Sequence, residues 1–170
     1  MADAMADRLG EPASAPTSES AMEHGRIVVG VDGSEPSLHA LRWADRQSGL
    51  TGAALEAVTA WEMPASFGWG GAVPGLPEGY DLGANAAEAL ADAVAQALPP
   101  DRADKVNQVT VMGNPAQVLL DRGEGAELIV VGVRGLGTFR ATLLGSVSHT
   151  VTVHAPCPVV VVRGTSEQGD

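Results

Sequence analysis

The chain has 170 residues, of which 45% are hydrophobic and 18% charged, a balance typical of a soluble single-domain globular protein. Its formal net charge of −11 disfavours nucleic acid and anionic membranes as partners, because such surfaces attract clustered Lys and Arg. The single Cys157 excludes an internal disulfide and a cysteine-built zinc site. It fits a reducing cytoplasm, where we expect the protein to reside. We expect neither a secretory signal nor a membrane-spanning segment.

Apolar runs and helical patterns alternate along most of the chain. Short apolar or alternating runs predict five strands, at residues 26–31, 54–61, 106–111, 128–131 and 158–163. Amphipathic stretches between them predict four helices, at residues 37–48, 81–98, 115–124 and 145–154. Such alternation predicts an α/β fold, a parallel doubly wound sheet of Rossmann-like type with helices on both faces.

Turn-forming residues predict where the helices begin and end. Ser34 and Asn114 are the expected N-caps of two helices, and a proline follows each of them within two residues. Gly49 is the expected stop of the first helix. In the last helix, Val147, Val151 and His154 are expected to face the core.

Three segments are expected to lie outside this regular framework. Residues 1–24 are rich in Ala, Ser, Glu and Pro and predict a disordered N-terminal tail, and residues 165–170 predict a C-terminal tail. The domain itself would then cover residues 25–164. Residues 62–80 contain several prolines and glycines and predict a long loop, which is either a flexible crossover or a lid or partner surface.

The glycines that follow the fourth predicted strand are candidate phosphate-binding residues. Two residues separate Gly132 from Gly135, and nine more precede Gly145 and Ser146. Glycine lets a ligand approach the main chain closely, and consecutive N–H groups in such a turn form an anion-binding concavity. Ser146 lies where a helix should begin, and a helix N-terminus favours phosphate. The alternative, tight turns around a helix–sheet contact, remains open.

This spacing, G-x2-G-x9-G-[ST] after a buried strand, resembles the nucleotide-binding signature of the universal stress protein family. The segments AELIVVGVRG, LLGSVSHTV and HAPCPVVVVR are similar to that family's C-terminal half, and VVGVDGS and VMGNPAQVLL are similar to earlier parts of it. The resemblance implies the strand order 3-2-1-4-5, which places a ligand where the first and fourth strands end. It also implies a homodimer through the fifth strand, Val159–Val162, whose edge carries no charge that would block pairing.

The ligand that the resemblance implies is ATP, with or without Mg²⁺. The motif and the resemblance together give these candidate binding residues: Gly30, Asp32, Ala60, Gly132, Val133, Arg134, Gly135, Leu136, Gly137, Thr138, Gly145, Ser146 and Val147. Asp32 either contacts the nucleotide, holds Mg²⁺ through water, or only caps its own turn. The main chain at Ala60 either reads the adenine edge or is ordinary strand. Arg134 and Arg140 either pair with phosphate or stay solvated.

The sequence favours binding over catalysis. It shows no Ser–His–Asp order, acid pair or nucleophile elbow, so an enzyme is not expected beyond slow ATP hydrolysis. A nicotinamide-dependent dehydrogenase would carry G-x-G-x-x-G after the first strand, where VDGSE stands. An ATP pyrophosphatase would carry a Ser-Gly-Gly-rich loop there. We therefore expect an ATP-binding, nucleotide-responsive stress protein, with a nucleotide-free scaffold of the same fold as the alternative.

Overall fold

The computed structural model describes residues 25–63, 81–135 and 144–164. The strands in these ranges are β1 Arg26–Gly30, β2 Ala54–Trp61, β3 Asn107–Met112, β4 Leu128–Gly132 and β5 Val159–Val162. The helices are α1 Glu35–Thr51, α2 Leu82–Ala97, α3 Pro100–Ala103, α4 Pro115–Gly123 and α5 Ser146–His154. The two predicted tails and most of the predicted 62–80 loop lie outside the described residues.

All five strands run parallel in one sheet, in the order β3-β2-β1-β4-β5. The predicted fold class and strand order are confirmed. The direction of winding changes between β1 and β4, which pair at Val28 and Ile129. In an open α/β sheet, ligands bind outside the carboxyl ends of the strands at such a switch point.

The helices cover both faces of the sheet, because successive side chains of a strand point to opposite sides. On one face, Ile27 and Val29 belong to the core formed with α1 and α2. On the other face, Val28 and Ile129 pack in the core that α4 and α5 cover. Burial on both faces explains why the central strands are continuous runs of branched aliphatic residues.

Side-chain caps fix the beginnings of α1 and α4. The Ser34 hydroxyl accepts the N–H of Ser37 at 3.4 Å. The Asn114 side chain accepts the N–H of Ala116 at 3.1 Å and of Gln117 at 3.3 Å. Both predicted N-caps are therefore confirmed.

The prediction that Gly49 ends the first helix is wrong. Helix α1 continues to Thr51, and Gly52 ends it. Gly52 has a φ of 78°, in the left-handed region that glycine adopts without steric cost, and its N–H donates to the Ser48 carbonyl at 2.9 Å. The backbone conformation, and not the presence of a glycine alone, decides where the helix stops.

Two further differences involve helix ends. His154, expected to face the core, is exposed, because it is the last residue of α5. The helix predicted at residues 81–98 ends at Ala97, close to its predicted end, but the short helix α3, which begins at Pro100, was not predicted. Arg102 anchors α3 to α1, because its Nη2 donates to Oδ1 of Asp45 at 2.8 Å.

A buried carboxylate joins three elements near the amino ends of the strands. Glu56 of β2 is 3% exposed, and its Oε1 lies 3.2 Å from Nη1 of Arg26 and 3.5 Å from Nη1 of Arg122. Its Oε2 accepts the side-chain amide of Asn107 at 3.0 Å. The carboxylate thus links β1, β3 and the end of α4, at the opposite end of the sheet from the switch point.

Replacing Glu56 with Ala should lower the free energy of unfolding by about 2–3 kcal/mol, because it removes the shared acceptor of two arginines and one amide. Urea unfolding followed by circular dichroism measures the change. Glu124→Ala is the matched control, because Glu124 is exposed and its change should stay within about 0.5 kcal/mol. Equal unfolding midpoints for the two variants would contradict the structural role given to Glu56.

Candidate functional site

A cavity of about 360 Å³ lies at the carboxyl ends of β1 and β4. Most of the described candidate residues line it, namely Gly30, Asp32, Ala60, Gly132, Arg134, Gly135, Gly145, Ser146 and Val147. Val133 is not among the lining residues, although its carbonyl accepts the N–H of Gly145 at 2.9 Å. The candidates Leu136, Gly137 and Thr138, together with Arg140, lie outside the described residues.

Part of the cavity wall is apolar, and its residues were not among the candidates predicted from the sequence. Val58, Leu119 and Val131 line the cavity and are at most 5% exposed. Gly30 brings this wall close to the strand end, since a Cβ there would lie 2.9 Å from a Leu119 methyl. The place of Val58 could have been predicted from the sequence. Val58 stands two positions before the candidate Ala60 in the same strand, so both side chains lie on the same face of the sheet.

Three helices present their first turns to this cavity, through Ser37 of α1, Pro115 of α4 and Ser146 of α5. The first turn of α1 is capped by Ser34, and that of α4 by Asn114. The N-cap of α5 is Gly145, which supplies no side-chain hydrogen bond. The first N–H groups of a helix have no intrahelical acceptor, so α5 presents donors that no side chain of the described residues caps, together with the positive end of its dipole.

Ser146 was expected as an N-cap or first-turn residue, and it is the first residue of α5. Its side chain is exposed at the mouth of the cavity. Its hydroxyl is thus placed beside the uncapped donors of the helix. An anion bound at this helix end would meet backbone N–H groups and a hydroxyl together.

The two glycine clusters of the motif meet in space. A Cβ on Gly145 would lie 3.3 Å from the Cα of Arg134 and 3.7 Å from the N of Gly135. A Cβ on Gly135 would collide with Oδ2 of Asp32. The missing side chains therefore let the turn after β4, the start of α5 and the end of β1 approach one another closely.

Gly132 has a different role. A Cβ there would lie 2.6 Å from the carbonyl carbon of Pro36, in the first turn of α1. Such an approach is closer than real Cβ atoms tolerate, so this glycine is required for the contact between α1 and β4. Of the two alternatives for the glycine motif, phosphate binding or a helix–sheet contact, the geometry at Gly132 supports the helix–sheet contact.

Asp32 caps its own turn through one carboxylate oxygen. Its Oδ1 accepts the Ser34 N–H at 3.0 Å and also the Ser34 hydroxyl. Its Oδ2 is directed toward Gly135. The capping interpretation is thus correct for Oδ1, and the carboxylate still lies on the cavity wall. In the described ranges, no group of three or more His, Cys, Asp or Glu residues could hold a metal ion.

Cys157 and the two late histidines lie away from the cavity. Cys157 is half-buried beside Ile129, near the amino end of β4, and burial raises the pKa of its thiol above the ordinary value. A raised pKa leaves less thiolate at neutral pH, so this cysteine is a poor nucleophile there. His149 and His154 are exposed on α5, and neither lines the cavity.

Comparison with known proteins gives one consistent family. The model of the universal stress protein family matches residues 23–163. A universal stress protein of Mycobacterium bovis is 36% identical over 165 residues, which are 92% of this chain and 52% of that protein. One from Thermus aquaticus is 34% identical over 140 residues, 81% of this chain and 97% of that protein. The chain thus spans about half the length of the mycobacterial relative.

Solved structures agree on the fold. A universal stress protein in complex with cAMP superposes with a TM-score of 0.54 at 26% identity, covering 81% of this chain and 95% of that one. UspA from Lactobacillus plantarum superposes with a TM-score of 0.57 at 21% identity, covering 82% of this chain and 98% of that one.

Among the described residues, no helix combines the length and the apolar character needed to cross a membrane.

The close approach at Gly132 gives a prediction about stability. Gly132→Ala should lower the free energy of unfolding by about 2 kcal/mol, because the added methyl group must push apart the backbones of β4 and α1. Chemical unfolding measures the loss. Ser146→Ala is the control, because the exposed Ser146 side chain does not cap α5 and its removal should change stability by less than about 0.5 kcal/mol. An unchanged stability of Gly132→Ala would contradict the packing role.

Proposed function

This chain belongs to the universal stress protein family, and from that premise we propose that it binds ATP in the cavity between β1 and β4. The observation that carries the proposal is the uncapped first turn of α5, which faces a cavity with glycines on its rim. In the cell the protein would act as a nucleotide-responsive stress protein of the cytoplasm.

The phosphates would bind at the start of α5. Ser146 offers a hydroxyl, and the first N–H groups of the helix lack intrahelical acceptors. Arg134, exposed on the same rim, would supply one positive charge. This arrangement needs no lysine, and Lys105, the single lysine of the chain, is not among the lining residues. Val133 and the candidates of the adjoining 136–138 segment are proposed to complete this turn.

The base would lie against the apolar wall. Val58, Leu119 and Val131 offer a surface on which an aromatic ring loses water favourably. Ala60, at the carboxyl end of β2, would contact the adenine edge through its main chain, and Gly30 would let the ligand approach β1. The related protein solved with cAMP holds a ligand that also contains adenine, which supports an adenine nucleotide here.

The residues present would fit a magnesium ion only as a partner of the phosphates. Asp32 is the single carboxylate among the described lining residues, and its Oδ1 is already engaged by Ser34. Mg²⁺ usually keeps several waters and takes one or two carboxylates together with substrate phosphates. Asp32 would therefore hold Mg²⁺ through water, if the nucleotide brings the ion with it.

We propose binding and not rapid turnover. Among the described lining residues, Asp32 is the single side chain of a type that commonly serves as a general base, and its Oδ1 already accepts from Ser34. Nucleotide binding would instead change the population of states of the phosphate-binding turn and so alter a surface that a partner recognises. Slow hydrolysis is compatible with this proposal. A nucleotide-free scaffold is the competing function, and a cavity that takes up no nucleotide would favour it.

The proposed dimer would form through β5. This strand lies at the edge of the sheet, and all four of its valines are half-buried. The carbonyls of Pro158 and Val162 accept the N–H groups of Ile129 in β4 and of Val133 just after it, so the N–H of Val161 points away from β4 in a parallel ladder. A second copy could pair with these outward groups in a symmetric dimer.

ATP titration by calorimetry tests the nucleotide proposal. Wild type should release heat and bind, and Gly135→Val should lose measurable binding, because its side chain collides with the Asp32 carboxylate and fills the approach to the turn. Ala91→Val, which introduces the same β-branched side chain at an exposed position of α2, is the control and should bind normally. Absence of binding by wild type, together with no nucleotide in an acid extract of the purified protein, would establish the scaffold instead.

Sedimentation tests the dimer. Wild type should sediment as a dimer at about 50 μM, and Val161→Pro should sediment as a monomer, because proline removes the outward N–H but leaves the bonds to β4. Val161→Thr keeps that N–H at nearly the same volume and should remain dimeric. A monomeric wild type, or a dimeric proline variant with an unchanged fold, would refute pairing through β5.

A further inference from the structure

Ser148 stands in the first turn of α5 and is not one of the residues that the motif identifies. Its residue surface is 5% exposed, although polar side chains of this kind are mostly exposed in proteins. Its hydroxyl donates to the carbonyl of Gly132 at 2.6 Å, across 16 positions of sequence. A buried hydroxyl on a lining residue is thus committed to the backbone at the end of β4.

The acceptor of this bond is held in place from the other side. The first turn of α1 packs directly against Gly132, with the carbonyl carbon of Pro36 only 2.6 Å from the position of a Cβ. Gly132 therefore cannot move toward α1 without a clash. A hydrogen bond to its carbonyl ties α5 to a point of the sheet that is fixed by close packing.

A second bond connects the same two elements. The N–H of Gly145 donates to the carbonyl of Val133 at 2.9 Å. Two successive carbonyls where β4 ends, those of Gly132 and Val133, thus accept from the beginning of α5, one from the Ser148 hydroxyl and one from backbone. One bond alone would allow the helix to pivot, whereas two bonds fix both the distance and the direction of its first turn.

We infer that Ser148 is a positioning residue for anion binding, which aims the uncapped N–H groups of α5 at the phosphates of the ligand. The inference rests on the proposed function of the cavity. Because N–H···O hydrogen bonds prefer angles above about 150° and weaken steeply below about 120°, a rotation of the first turn away from the phosphates would cost affinity. The apolar wall that would contact the base is formed by β2, β4 and α4, so it does not depend on this bond.

A merely structural role for Ser148 predicts a different pattern. Loss of a buried hydrogen bond that only stabilises the fold would lower the melting temperature and weaken every ligand alike. A positioning role predicts a selective loss for the phosphates. The ratio of the affinities for ATP and adenosine therefore separates the two roles.

The experiment compares Ser148→Ala, Ser148→Thr and wild type in the full chain. Ser148→Ala should weaken ATP binding roughly 10-fold, the size of one lost charge-assisted hydrogen bond, while adenosine affinity changes less than about 2-fold. Ser148→Thr keeps the hydroxyl and should recover most of the ATP affinity. Thr152→Ala is the matched control. It also removes a hydroxyl that donates to a carbonyl, in this case that of Ser148 at 2.6 Å. Thr152, however, lies one helical turn farther from the cavity. This variant should bind ATP normally.

Amide hydrogen exchange without nucleotide gives a second readout. In Ser148→Ala, the Gly145 amide should exchange faster than in wild type, while the Leu38 amide, bonded to the Ser34 carbonyl at 3.0 Å in α1, should not change. Unchanged ATP affinity in Ser148→Ala, or an equal loss for ATP and adenosine, would overturn the positioning role. A wild type that binds no ATP would instead refute the proposed function, and the exchange data would still show whether Ser148 fixes α5.

Discussion

The architecture of the candidate site depends on the contact between the backbones of Gly132 and Pro36. Because no side chain separates them, the end of β4 and the first turn of α1 approach more closely than any other residue at position 132 would allow. The Ser148 hydroxyl holds the opposite side of the same peptide at 2.6 Å. The carboxyl end of β4 is therefore fixed between two helix beginnings, and the cavity forms beside this junction.

The three helix ends at the cavity are chemically distinct, and this difference gives the site its polarity. Ser34 and Asn114 each accept N–H groups in the first turns of α1 and α4, whereas no side chain of the described residues caps α5. A ligand with one apolar end and one anionic end would thus have a single favourable orientation, with its anionic end at α5. This orientation of the ligand follows from the difference in helix capping and does not require a cluster of positive side chains.

The sequence predicted the parallel sheet and most helix bounds because the patterns behind them are local, whereas the strand order came from the family resemblance. Buried strands appear as aliphatic runs, and Ser34 and Asn114 are caps whose chemistry acts over three residues. The cavity wall was missed where it depends on tertiary packing, as at Leu119, whose place is fixed only when α4 covers β1. The stop at Gly52 and not at Gly49 was likewise undetermined, because both are glycines and only the chain beyond them selects the left-handed one.

The proposed binding of an anion by an acidic chain requires that short-range attraction at the site outweigh the long-range repulsion from the net charge. The net charge of −11 opposes the approach of a nucleotide at long range, but solvent and salt screen charges over roughly 8 Å at physiological ionic strength. Backbone N–H groups act within hydrogen-bond distance, where screening by salt is weak and direction matters most. Affinity in such a site comes from how accurately the donors are aimed, which is why a buried hydroxyl such as that of Ser148 would matter as much as a charge on the rim.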